Sequence, residues 1–157
     1  MELIILIGLP AAGKSTFAQQ YFAATHEYVS KDRLRNNGRP RRRQARRIDA
    51  ALQAGRSVVV DNTNATIEER TALICLGQAY GAHIAGYYFP TAAGDALVRN
   101  RARTGKARVP AVAVYATRKK LIPPGDAEGF DALFAVRILA GGAFEVRRWP
   151  EGWADGG

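Results

Sequence analysis

The stretch Gly8-Leu9-Pro10-Ala11-Ala12-Gly13-Lys14-Ser15-Thr16 constrains this chain more than any other. It directly follows Leu3-Ile4-Ile5-Leu6-Ile7, an unbroken apolar run of the kind carried by a strand buried on both faces. Behind it Phe17, Ala18, Tyr21 and Phe22 recur at helical spacing, so the predicted order is strand, glycine-rich turn, helix. That context separates a phosphate-binding GxxxxGK[ST] loop from a chance match at a strand–helix turn. Successive backbone N–H groups and a helix N-terminus form a cradle for polyphosphate. Lys14 adds a point charge for the β- and γ-phosphates, and the Ser15 hydroxyl suits Mg²⁺. Gly8, Pro10, Ala11, Ala12, Gly13, Lys14, Ser15 and Thr16 are therefore the expected nucleotide contacts, with ATP and Mg²⁺ the expected cofactors.

The rest of the chain alternates strand and helix patterns. Strands are predicted near 2–8, 27–30, 56–61 and 83–89, and helices near 14–24, 40–54, 66–80 and 92–104. Gly55 and Gly81 stand where two of those helices should end. Val109-Pro110 starts a short helix to about Lys120, and Pro123-Pro124-Gly125 breaks the pattern. A last strand pair, Leu133 to Leu139 and Phe144 to Trp149, is joined through Gly141-Gly142. This is the pattern of an α/β fold, a parallel sheet flanked by helices. Residues 1–150 read as one domain with a lid near 99–110, and 151–157 as a flexible tail.

In open parallel sheets a ligand lies beyond the carboxyl ends of the strands, so the residues just after each strand matter most. After the second strand comes Ser30-Lys31-Asp32-Arg33-Leu34-Arg35. Asp32 there is either a general base aimed at an acceptor hydroxyl or the N-cap of the following helix. After Val58-Val59-Val60 comes Asp61-Asn62-Thr63-Asn64. Asp61 is positioned as a Walker-B-like aspartate for Mg²⁺ or its water shell, with Asn62 and Thr63 as neutral donors; an Asx-type turn is the plainer reading. His26 and His83 sit beside strands and read as surface or satisfied edge residues. Cys75, with Ala72 and Leu76, reads as core. Trp149 and Trp153 read as packing residues near the tail rather than base-stacking platforms.

Charge gives a second signal. Among 157 residues, 23 Lys and Arg stand against 14 Asp and Glu, a net charge of +9. Such a balance favours anionic partners, above all nucleic acid. Arg39, Arg41, Arg42, Arg43, Arg46 and Arg47 crowd the start of one helix whose buried side is Ile48, Ala51 and Leu52. A solvated face is the default for a charge run, but one-signed neighbours on a helix repel unless a polyanion relieves them. Arg39, Arg42 and Arg43 are therefore candidate contacts to a nucleic-acid phosphate track. A second basic run, Arg99 to Arg108 around Gly105, suits a closing lid. Arg99 and Arg103 are its candidates for the donor phosphates, Arg103 as the arginine that stabilises the transferring phosphoryl group. One cysteine rules out an internal disulfide framework, and no apolar run approaches the length of a membrane span, so a cytoplasmic location is expected.

With these residues in view the chain resembles the P-loop polynucleotide 5′-kinases, the kinase module of phage and animal polynucleotide kinase–phosphatases. The likeness runs from Leu3 to about Val136. It rests on the P-loop, on Ser30 to Arg35, on Asp61-Asn62-Thr63-Asn64 followed by Arg70, on Arg99-Asn100 and Arg103, on Val109-Pro110, and on Glu128-Gly129-Phe130. The resemblance implies a P-loop kinase, adenylate-kinase-like, fold. It implies that Asp32 is the general base for a 5′-hydroxyl, that Arg35 contacts the phosphate next to the acceptor nucleoside, and that Arg103 is the lid arginine. Lys14 and Ser15 match the phosphate and Mg²⁺ contacts, and Asp61 and Thr63 fall in the acceptor segment.

The chain departs from the family at Ala11, where glycine is usual, so that turn must avoid positive φ or bear mild strain. No Asp-x-Asp-Gly-Thr segment is present, so the 3′-phosphatase half of the bifunctional relatives is not expected, nor is a ligase-type lysine motif. The expected activity is ATP-dependent phosphorylation of a 5′-hydroxyl end of DNA or RNA, with nucleic-acid ends as the partners. Two alternatives stand beside it. One is a small-molecule kinase of the same fold acting on a metabolite, nucleoside or antibiotic. The other is a nucleotide-gated nucleic-acid-binding ATPase.

Overall fold

The centre of the sheet is the apolar run itself. In the computed structural model, which describes residues 1–31, 39–103 and 108–150, this run is strand β1 (Glu2–Gly8). It pairs in parallel with β3 (Val58–Asp61) on one side and β4 (His83–Phe89) on the other. β2 (Glu27–Val29) extends the sheet beyond β3, and β5 (Ala132–Ile138) beyond β4, both parallel. β6 (Phe144–Arg148) closes that side antiparallel to β5, giving the order β2-β3-β1-β4-β5-β6. The sheet is thus mostly parallel and flanked by helices, as the alternation predicted.

Successive side chains of β1 point to opposite faces, and both faces are covered. Leu3, Ile5 and Ile7 pack with Val58, Val60 and Ile84 against Ile48 and Leu52 of α2 (Pro40–Gln53) and Leu73 and Ile74 of α3 (Ile67–Ala79). Ile4 and Leu6 pack against Phe17 and Ala18 of α1 (Lys14–Tyr21) and against Phe22 just beyond it. Burial on two faces is why the run shows no polar alternation. Each such side chain contributes roughly 1.5–3 kcal/mol. A third, smaller cluster joins Leu9 of the P-loop to Ala93 and Ala96 of α4 (Ala93–Arg101) and Val114 of α5 (Ala111–Lys120).

Local signals set the helix ends. Thr66 caps α3 by accepting from the Glu69 backbone N–H at 3.2 Å, and Glu68 and Glu69 favour the positive end of the helix dipole. Gly55 (φ 77) and Gly81 (φ 66) follow α2 and α3 in the left-handed conformation, where the spacing put them. Other boundaries shift. α1 ends at Tyr21 rather than 24, α4 at Arg101 rather than 104, and β3 starts at Val58 rather than 56.

One core assignment is corrected. The stripe of α3 that faces the sheet is Arg70, Leu73, Ile74 and Gly77, so Cys75 is exposed together with Ala72, and Leu76 only edges the core. Helical period admits both stripes, and the packing chose the one carrying two large aliphatics and a buried arginine. Tyr21 is likewise 52% exposed, although its ring leans on Phe17 and Phe144. His26 is held by Glu2 at 2.8 Å and Thr25 at 2.7 Å at the sheet edge, and His83 is exposed. Trp149 donates its indole N–H to the Pro124 carbonyl at 2.8 Å and packs edge-on against Tyr88, a packing role; Trp153 and the 151–157 tail lie outside the described residues. Among the described residues no helix is long and apolar enough to cross a membrane.

Candidate active site

Three strand tips meet at the carboxyl edge. β1 delivers the P-loop, β3 beside it delivers Asp61, and β2 beside that delivers Lys31. The chain runs from β1 towards β2 on one side, and from β3 it crosses back over β1 to β4. The crevice therefore sits where an open α/β sheet changes direction.

The loop turns by two left-handed residues, Ala11 at φ 64 and Gly13 at φ 98. Ala11 thus takes the strained alternative, at a cost of about 1–2 kcal/mol for a residue with a Cβ. At Gly13 the φ of 98 is the reason glycine is required, and a Cβ would also lie 2.8 Å from Ile138 Cδ1, the movable end of that side chain. Gly13 stands at the N-cap of α1 with no side chain to cover the helix start, the end of a helix that favours an anion. The loop is tied to its neighbour by the Gly8 N–H, which donates to the Thr63 carbonyl at 3.0 Å. Lys14 is only 7% exposed, and its ammonium donates to the Gly8 and Leu9 carbonyls at 3.0 and 2.6 Å. That holds the charge inside the loop.

Asp61 faces this cradle. Its Oδ2 accepts from the Ser15 hydroxyl at 2.7 Å and also from the Tyr28 hydroxyl on β2. An uncapped helix start, a buried ammonium and a hydroxyl–carboxylate pair of hard oxygens fit a nucleoside triphosphate with Mg²⁺. Next along the edge, the Lys31 N–H donates to Asn62 Oδ1 at 2.8 Å, and the Asn62 amide donates to Gln44 of α2. Asn64, 1% exposed at φ 44, donates to the Leu6 carbonyl at 2.7 Å. The Asp-Asn-Thr-Asn segment is therefore stitched to β1, β2 and α2 at once.

Behind it lies a residue whose role the sequence did not reveal. Arg70 is 0% exposed. Its Nε and Nη2 donate to the two carboxylate oxygens of Glu128 at 2.7 and 3.2 Å, and Nη1 donates to the carbonyls of Asn64, Ala65 and Ile122 at 3.0, 3.2 and 2.9 Å. Glu128 accepts in addition from the Gly125 N–H at 2.8 Å. Burial pushes the Tyr88 phenol above its ordinary pKa, and the charge of Arg70 pulls it back. The signal was an arginine within an apolar stripe, paired with a distant Glu-Gly-Phe.

The structure brings together Lys14, Ser15, Asp61, Asn62 and Thr63 with the loop backbone from Gly8 to Thr16. Arg39 stands exposed at the start of α2 at φ 47, and Arg41, Arg42, Arg43 and Arg46 are exposed beyond it. Arg47 instead pairs with Glu27 at 3.2 Å. Arg99 lies in the last turn of α4, and Arg103 is half-buried just past it, its N–H on the Asn100 carbonyl at 3.0 Å. Asn100, 3% exposed, ties α4 to Val109 by bonding both Val109 backbone groups, at 2.9 Å to the N–H and 2.6 Å to the carbonyl. Asp32, Arg35 and residues 104–107 lie outside the described residues.

A family model described as an AAA domain matches residues 3–124 of this geometry's chain. The chain belongs to that family. Over 83 residues, 50% of its length, this AAA domain is 37% identical to a bifunctional polynucleotide phosphatase/kinase of Schizosaccharomyces pombe, and the match covers 19% of that protein. The resemblance read from the motifs holds there. Among solved structures it is similar to a fungal RNA kinase, with a TM-score of 0.63 at 12% identity, covering 87% of this chain and 75% of the other. It is equally similar to a sugar kinase from Janibacter sp. HTCC2649, with a TM-score of 0.62 at 17% identity, covering 86% and 85%. At such identities the likeness is one of fold, and that fold accompanies quite different acceptors.

Proposed function

We propose that this AAA domain is an ATP-dependent kinase that transfers the γ-phosphate to a 5′-hydroxyl end of DNA or RNA. The observation that carries the reading is the stitched edge. Lys31 is bonded to Asn62, one residue after the carboxylate that accepts from the P-loop Ser15. Lys31, the residue before Asp32, thus lies beside the Asp61–Asn64 segment, which supports the reading of Asp32 as a base facing the phosphate cradle. The similarity to a polynucleotide phosphatase/kinase and the exposed arginines of α2 support a nucleic acid as acceptor.

In this reading Lys14 and the amides of the P-loop bind the donor phosphates, and Arg99 and Arg103 complete the charge from the lid. Ser15 and Asp61 would hold Mg²⁺, which when bound neutralises the phosphate oxygens. Asp32 accepts the proton of the 5′-hydroxyl as its oxygen attacks the γ-phosphorus in line, and ADP leaves with the electrons of the broken bond. Arg35, Asn62 and Thr63 orient the acceptor end, and Arg39, Arg42 and Arg43 follow its backbone.

The test is transfer of label from γ-labelled ATP to an oligonucleotide with a 5′-hydroxyl, beside its 5′-phosphorylated twin. Label should reach the hydroxyl strand alone, and Asp32→Ala should reduce it by about 10²- to 10⁴-fold. ATP turnover without transfer to DNA or RNA would overturn the reading and favour a small acceptor, as in the sugar kinase that shares the fold.

A further inference from the structure

A groove of about 320 Å³ opens between the N-terminal halves of α2 and α3, at the carboxyl edge of the sheet. Its size is at the lower end of small-molecule sites, enough for one compact ligand rather than a length of strand. The lining is mixed in chemistry. Leu73, Leu76 and Ala72 of α3 and Ala45 of α2 give it an apolar part. Lys31 and Arg41 bring positive charge to the lining, and Glu68 in the first turn of α3 brings a carboxylate.

Gln44 joins this groove to the site already described. It is 8% exposed, it lines the groove, and its carbonyl oxygen accepts from Asn62, which leaves the amide N–H₂ as its donor. Apolar residues from both helices, two of them alanines, suit a planar ring. A carboxylate beside an amide donor suits a ring carrying both hydrogen-bond donors and acceptors. The two cations suit an attached phosphate. A sugar or amino acid would leave the apolar part unused.

From this we infer that the groove is a nucleobase subsite holding the base of the acceptor's 5′-terminal nucleoside, with Glu68 accepting from an exocyclic amino group. The inference rests on the kinase reading above and adds to it a preference. Adenine, cytosine and guanine carry the amino group, whereas thymine and uracil do not.

Four 5′-hydroxyl oligonucleotides differing only in the terminal base, and a fifth with an abasic terminus, would be compared as acceptors. The amino-bearing bases should show an acceptor KM about tenfold below that of thymine or the abasic end. Glu68→Ala should level the bases. Ala72→Phe, on an exposed position, should fill the groove and raise the KM for every base to the abasic value, leaving the KM for ATP unchanged. Equal KM for all five acceptors, or an Ala72→Phe enzyme indistinguishable from wild type, would overturn the subsite. If the wild-type protein phosphorylates none of them, calorimetric titration with adenosine separates the two failures. Binding that Ala72→Phe abolishes keeps the subsite while the kinase reading falls, and absence of binding overturns both.

Discussion

At the residue scale, the P-loop rests on two backbone positions that the sequence signals differently. Gly13 belongs to the motif, and its φ of 98 and the nearness of Ile138 give the physical reason. Gly13→Ala should combine a left-handed penalty with steric overlap, costing roughly 2–4 kcal/mol. The urea midpoint should fall accordingly, and affinity for ATP should fall with it, because the same turn aims the first N–H groups of α1. A variant with unchanged midpoint and unchanged ATP affinity would show that Ile138 yields freely and that the loop tolerates a Cβ. Ala11 was legible only as a dilemma, positive φ or a different turn, and the structure resolves it towards strain. Asp61 was legible as an acid at a strand tip. Its second partner Tyr28 was not, because a tyrosine in a strand looks like any other residue on the pleat.

At the element scale, α3 is where sequence and structure part company. A helix from 66 to 80 was legible from its cap, its acidic first turn and its closing glycine. The face was not, because apolar residues at 72, 73, 74, 75 and 76 permit several stripes, and tertiary packing picks among them. The stripe chosen buries Arg70, which then needs Glu128 from a turn 58 residues away. No local pattern announces such a partner. Arg70→Met should leave the Glu128 carboxylate buried without its counter-charge and cost about 3–5 kcal/mol. Replacing Glu128 as well, in Arg70→Met/Glu128→Gln, should recover part of that loss in a denaturant titration. Losses that simply add would mean that the two residues stabilise the fold independently. The loop tied down by Arg70 carries Asn64 and Ala65, so this pair also sets how firmly the Asp61–Asn64 segment is held. Asn100 likewise ties Val109 to α4, where the sequence showed only a basic run.

At the scale of the whole molecule, 23 Lys and Arg outnumber 14 Asp and Glu, for a net charge of +9. Among the described residues several cations have acidic partners. Glu27 takes Arg47 and Arg56, and Glu69 takes Lys120 at 3.7 Å. Arg42, Arg43 and Arg46 stay exposed on the outer face of α2, whose N-terminus starts at the same edge as the P-loop. Self-repulsion on such a face is relieved by a polyanion, and each phosphate engaged releases condensed counterions. Binding of a 5′-hydroxyl single strand should therefore weaken steeply with salt. Arg42→Gln/Arg43→Gln should make the slope of log K against log salt shallower by about 1.4, the value for two single-strand phosphate contacts. Affinity for ATP, assigned in the proposed reading to the buried Lys14 and the loop amides, should keep its own salt dependence in that variant. An unchanged slope for the oligonucleotide would assign the arginines to a solvated face. The acceptor strand would then be gripped at its terminus alone, and the groove between α2 and α3 would have to supply what the outer face does not.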